Sequence, residues 1–150
     1  MRILIVESRF YEHITDNLVK GAVRELQAAG AGYKRVIVPG ILEIPSAIRY
    51  AVRAMEMRAT DERYSGYITL GCAIKGETDH YDHVCREAFA GVQRLSLEYT
   101  LAVANGILTV HNEAQALERA MPEKRNFGGQ AARTVLRMID IKKDLGLLPK

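Results

Sequence analysis

The chain has 150 residues, is 48% hydrophobic and 26% charged, and carries a formal charge of +3. That length predicts one domain over residues 1–150, with roughly 68–70% of the unfolded surface buried and so no need for disulfide staples. The small, scattered charge argues against a nucleic-acid partner, the lack of an apolar run near ~18 residues against a membrane span, and two cysteines without CxxC or Cys/His ligand spacing against a zinc site.

The elements follow in chain order. Ile3-Leu4-Ile5-Val6 is a continuous apolar run, as in a strand covered on both faces. It begins within two residues of Met1, which predicts no signal peptide and a cytoplasmic protein. Ile14, Leu18, Ala22 and Leu26 recur at steps of four, predicting a helix over Ile14–Ala29 that Gly30 stops. Arg35 to Val38 reads as a second buried strand, ended by Pro39-Gly40. A helix starts near Ile44 with Pro45 in its first turn, where proline is tolerated, and carries Ile48, Val52 and Met55 on one face. Tyr67 to Cys72 is a third strand and Tyr81 to Leu97 a third helix. Leu101 to Val110 is a fourth strand, expected to be interrupted at Asn105-Gly106. Helices are expected at Glu113–Ala120 and, after a polar turn, at Gly129–Asp144, with a fraying tail from Leu145 to Lys150. The order β-α-β-α-β-α-β-α-α predicts an α/β fold with a four-stranded parallel sheet, right-handed crossovers and helices on both faces. Cys72 and Cys85 both sit in apolar contexts and read as buried, reduced thiols.

The stretch from Leu70 to Val84 carries the most chemistry. A strand runs into a loop holding Gly76, Thr78 and His80, and a helical pattern starts at once. That arrangement sets backbone N–H groups and a hydroxyl at a helix N-terminus, which suits an anion such as phosphate. It places an imidazole, the side chain best suited to moving protons near neutral pH, beside that anion. In open parallel sheets ligands bind beyond the carboxyl ends of the strands. Ser8-Arg9-Phe10, Pro39 to Glu43, Ala73 to His80 and the segment from Asn105 onward are therefore expected to converge on one site.

The motifs in these loops resemble those of the lumazine synthase family. Arg9-Phe10 matches the aromatic after the first strand, and Val38-Pro39-Gly40-Ile41-Leu42-Glu43-Ile44-Pro45 matches a VPG-x-x-EIP segment. Gly71 to His80 matches G-C-x-I-x-G-E-T-x-H, and Asn105-Gly106-Ile107-Leu108-Thr109 with Asn112, Gln115 and Glu118-Arg119 matches the last segment. The resemblance covers nearly the whole chain in order. It implies a flavodoxin-like three-layer fold and an enzyme of the penultimate step of riboflavin biosynthesis. The family joins 5-amino-6-(D-ribitylamino)uracil to 3,4-dihydroxy-2-butanone 4-phosphate, giving 6,7-dimethyl-8-ribityllumazine, phosphate and water, with no metal or organic cofactor.

On that resemblance, Phe10 stacks on the pyrimidine and Glu43 accepts from the ribityl chain, with Gly40, Ile41 and Leu42 beside it. Backbone groups at Ala73 and Ile74 face the pyrimidine, and Cys72 and Asn105 also belong to the substrate-binding set. Gly76, Glu77 and Thr78 donate to phosphate, Arg119 supplies its countercharge, and His80 carries protons. It also implies a homo-oligomer, a pentamer with sites shared between neighbours: Phe10, Glu43 and His80 from one subunit, and Asn105 to Arg119 with the loop at Phe127 from the next. Capsid-forming members usually carry an extra N-terminal segment, so the start at Met1-Arg2-Ile3 is expected to limit assembly to one pentamer or a pair.

Each residue also has a purely structural reading. Phe10 can be a core ring, Glu43 or His80 a helix cap, Arg119 a solvated helix charge, and His83 a surface residue. Glu77 is expected to act through its backbone, because its carboxylate would repel phosphate. Three positions depart from the family pattern: Tyr11 in place of asparagine, Asn105 in place of an apolar or aromatic residue, and Phe127 in place of a lysine. Two other functions compete. One is a flavin or lumazine carrier of the same fold, which would not need both His80 and a phosphate site. The other is a cysteine hydrolase using Cys85 with His80 or His83, which the mid-helix position of Cys85 disfavours.

Overall fold

Alternation along the first strand organises the molecule. In a computed structural model, which describes residues 1–147, β1 (Arg2–Ser8) turns Ile3 and Ile5 to one face of the sheet and Leu4 and Val6 to the other. The next elements are α1 (Glu12–Ala28), β2 (Gly32–Val38), a short 3-10 turn (Ile41–Glu43), α2 (Ile44–Glu56) and β3 (Gly66–Ile74). They are followed by α3 (His80–Glu98), β4 (Val103–Val110), α4 (Glu113–Ala120) and α5 (Phe127–Asp144). All strand pairs are parallel and the sheet order is β2-β1-β3-β4. The first face is covered by Leu18, Ala22 and Leu26 of α1, Ala116 of α4, and Ala132, Val135 and Ile139 of α5. The second is covered by Ile44, Ile48 and Val52 of α2 and by Ala88 and Val92 of α3. This is the three-layer, flavodoxin-like arrangement expected from the sequence.

The helix boundaries follow local chemistry. Gly30, at φ +70°, closes α1: its N–H and that of Ala31 reach the carbonyls of Gln27 and Leu26, as in a Schellman motif. Asn112 caps α4 by accepting from the Gln115 N–H at 2.9 Å, and Asn126 caps α5 by accepting from Gly129 at 3.2 Å. α5 runs so close to α1 that a Cβ at Gly128 would lie 1.9 Å from the Leu18 carbonyl oxygen, so only glycine fits there.

The structure corrects several expectations. β2 is not a buried strand: it lies at the sheet edge beside β1 alone, Arg35 is exposed, and Ile37 is 63% exposed. Asn105-Gly106 do not interrupt β4. They pair in register with Thr69 and Leu70, and a Cβ at Gly106 would press to 2.7 Å from Leu70. α1 starts two residues before Ile14, and α5 starts two residues before Gly129, at Phe127, directly after its left-handed cap Asn126. The tail does not fray at its start: Gly146 and Leu147 donate to the Lys143 and Lys142 carbonyls, a second Schellman closure. Residues 148–150 of the expected tail lie outside the described residues. Cys72 is buried as expected, whereas Cys85 on α3 is only half-buried; both are free thiols.

Candidate functional site

Three loops leave the carboxyl ends of β1, β2 and β3 and enclose a cleft of ≈ 490 Å³. It opens where the connections diverge: β1 leads through α1 to one edge strand and β3 leads through α3 to the other. Such a switch point leaves a crevice between the loops. From the first loop come Ser8, Phe10 and Tyr11; from the second, Pro39 to Glu43; from the third, Cys72, Ala73, Ile74, Gly76, Thr78 and His80. A Cβ at Gly71 would meet Ile41 at 2.9 Å and Ser8 at 3.2 Å, so glycine at the end of β3 lets the first two loops close over the sheet.

Phe10 is not a core ring. It is 73% exposed and meets Tyr11 edge-on, with centroids 5.0 Å apart and planes at 73°. An exposed aromatic ring at a cleft mouth offers a stacking surface. Glu43 stands at the N-cap position of α2, yet its side chain makes no capping hydrogen bond. Its carboxylate instead folds over Gly40, where a Cβ would come within 3.0 Å of Oε2. The carboxylate is exposed and able to accept from a hydroxylated ligand.

The third loop has the donors that an anion needs. Among the described residues, the N–H groups of Gly76, Glu77 and Thr78 donate no hydrogen bond. The His80 N–H points back to Thr78 Oγ1 at 3.4 Å, which leaves the threonine hydroxyl free to donate outward. Asp79, not His80, takes the N-cap position, and the His80 imidazole is exposed on the first turn of α3. Glu77 belongs to this loop without lining the cleft.

The fourth segment does not join them within one chain. Asn105 sits inside β4, where its Oδ1 accepts from Thr69 Oγ1 at 3.0 Å and from the Ile107 N–H at 3.1 Å. Arg119 lies in the last turn of α4 and donates to the Gln115 carbonyl at 3.1 Å. α4 packs on the α1 face, whereas α3 lines the cleft from the other face, so the sheet separates Arg119 from Thr78 and His80. The expectation that four segments of one chain converge therefore fails for this one.

Ser8 and Pro39 line the cleft as part of the expected segments, while Tyr11, Tyr81 and Val84 line it from just beyond them. Val84 could have been found at one helical turn beyond His80, and Tyr11 from its place beside Phe10. Burial pushes the Cys72 thiol up to about 12 and raises Cys85 as well, so neither is an activated nucleophile. Burial also raises the Tyr81 phenol, against the pull of a hydrogen bond to Thr109. Among the described residues no group of three His, Cys, Asp or Glu side chains is placed to hold a metal ion, and no helix is long and apolar enough to cross a membrane.

These features define a class: a three-layer α/β protein whose cleft, at the carboxyl edge of a parallel sheet, brings together an exposed aromatic ring, a loop with free N–H groups before a helix start, and an imidazole. The model of the 6,7-dimethyl-8-ribityllumazine synthase family matches residues 1–143. A protein of that name from Paramagnetospirillum magneticum is 51% identical over 146 residues, covering 97% of each chain. One from Bartonella tribocorum is 48% identical over 96% of this chain and 91% of its own, and one from Bartonella henselae 45% identical over 100% and 94%. The chain belongs to the 6,7-dimethyl-8-ribityllumazine synthase family. The family, the fold and the enzymatic function expected from the sequence all stand on this footing.

Proposed function

We propose that the cleft joins 5-amino-6-(D-ribitylamino)uracil to 3,4-dihydroxy-2-butanone 4-phosphate to form 6,7-dimethyl-8-ribityllumazine, and that it does so in the cytoplasm. The pyrimidine stacks on Phe10 and meets backbone groups at Ala73 and Ile74, while the ribityl hydroxyls donate to Glu43. The phosphate lies against the free N–H groups of Gly76, Glu77 and Thr78 and the start of α3. The uracil amine attacks the ketone and loses water as the imine forms. Phosphate then leaves by elimination, and ring closure expels a second water. His80 exchanges the protons these steps require.

The observation that carries this reading is the meeting of Phe10, Glu43, Thr78 and His80 around one cleft in a chain of this family. The placement of Arg119 and Asn105 away from that cleft supports a shared site. A neighbouring copy supplies the phosphate countercharge, and the active assembly is a homo-oligomer, a pentamer. Mixing the two substrates with the purified protein is expected to give lumazine fluorescence and stoichiometric release of phosphate. A yellow ligand bound one per chain with no turnover would instead make the protein a carrier.

A further inference from the structure

The most heavily charged spot in the core lies directly behind the β1–α1 loop. Glu7 is fully buried on the inner strand β1, yet among the described residues every hydrogen bond to its carboxylate comes from a cation. Arg35 of β2 reaches it twice, Nε to Oε2 at 2.8 Å and Nη2 to Oε1 at 2.7 Å. Arg9 adds a third bond, Nη1 to Oε1 at 2.9 Å, and its Nη2 donates to Asp16 on α1. The four side chains form a neutral chain that ties β2, β1, the loop and α1 together. Those hydrogen bonds hold both guanidiniums above their ordinary pKa values, Arg9 mainly through Asp16 and Arg35 mainly through Glu7.

Such a network is a poor way to gain stability, since apolar side chains of similar volume usually serve as well or better. What charged, bidentate pairs fix is geometry. The residue whose geometry is at stake is Phe10, next to Arg9. Phe10 is 73% exposed, and Tyr11 is the one aromatic ring it meets among the described residues. Packing therefore does little to hold it, and the backbone at Arg9 must. We infer that Glu7 is a positioning residue for the aromatic wall of the cleft, acting through Arg9 and anchored by Arg35. This rests on the reading of Phe10 as the pyrimidine's stacking face.

The test compares Glu7→Gln, Arg9→Met and Asp16→Asn with the wild type, and with Glu25→Gln, which breaks a surface pair between α1 and α5 far from the loop. Both substrates are titrated. In addition, 4-fluorophenylalanine is incorporated at the three phenylalanines. The Phe10 fluorine signal is assigned with Phe10→Leu. The expected result is a roughly five- to tenfold higher KM for the pyrimidine in Glu7→Gln and Arg9→Met, with the KM for the phosphate-bearing ketone and kcat within about twofold. Asp16→Asn is expected to show a smaller change in the same direction, and the Phe10 signal to shift or broaden in all three but not in Glu25→Gln. Equal rises in both KM values, or a lower melting temperature with unmoved KM and Phe10 signal, would overturn the inference. If Glu7→Gln does not fold, Arg9→Met and the exposed Asp16→Asn decide by the same criteria. A wild type that makes no lumazine refutes the proposed function instead, and the fluorine signal alone then decides whether Glu7 positions Phe10.

Discussion

Removing the Phe10 ring separates a binding surface from a core residue. A phenylalanine deleted from a core costs about 3–5 kcal/mol. Here the residue is 73% exposed, so only about a quarter of the ~1.5–3 kcal/mol for full burial is at stake, under about 1 kcal/mol. Phe10→Ala should therefore leave the melting temperature nearly unchanged. Its function is another matter. Aromatic stacking contributes about 0.5–1.5 kcal/mol beyond the area covered, and every ~1.4 kcal/mol is tenfold in affinity. The KM for the ribitylaminouracil is expected to rise by roughly tenfold, while that for the butanone phosphate stays within twofold. Thermal melting and initial rates with one substrate saturating measure both quantities. An unchanged pyrimidine KM, or a loss of stability near that of a core deletion, refutes the reasoning.

Three more outcomes are expected. His80→Ala should slow turnover by about 10²-fold or less, the low end of general acid–base effects, because holding the two reactive substrates together supplies part of the acceleration; unchanged turnover would remove His80 from the chemistry, and complete loss with an intact fold would make it indispensable. Arg119→Ala should raise the KM for the butanone phosphate far more than that for the pyrimidine, and verified mixed rings of the His80→Ala and Arg119→Ala chains should recover activity, whereas no recovery would place each site within one chain. The Tyr67 hydroxyl is buried without a partner, and burial pushes its phenol up to about 12. Because the folded pKa lies above the ordinary 10, the stability this group contributes is full below pH 10 and is lost as pH rises through about 12, by roughly 1.4 kcal/mol per pKa unit; Tyr67→Phe should flatten that alkaline loss in denaturant melts and leave neutral stability equal or higher, and an unaltered alkaline slope would show that Tyr67 does not set it.

Short-range signals carried most of the fold and the loops of the site. Steps of four apolar residues placed α1 on its sheet, Gly30 ended it in a left-handed turn, and Pro45 fell in the first turn of α2. The order of strands and helices was enough for a parallel three-layer fold, because few crossovers are sterically open to a right-twisted sheet. The Gly76-x-Thr78-x-His80 spacing located a loop running into a helix start, since glycine, hydroxyl and cap preferences act within a few residues.

Tertiary structure decided what depends on neighbours distant in the chain. An apolar run such as Val36-Ile37-Val38 reads the same at the edge of a sheet as at its centre, and only the order β2-β1-β3-β4 makes Ile37 exposed. Glu7 directly follows the apolar run Ile3 to Val6, and Arg9, two residues on, accounts for only one of the three hydrogen bonds to its carboxylate. The other two come from Arg35, 28 residues away and across a strand pair, which only the fold brings to it. Arg119 follows the family motif at the family's distance, yet the sheet sets it apart from Thr78 and His80, and Asn105 is tied to Thr69 inside the sheet. Periodicity records which face of its own element a side chain takes. Which elements then meet is fixed by sheet order and crossovers, and those depend on the whole chain burying its apolar faces at once.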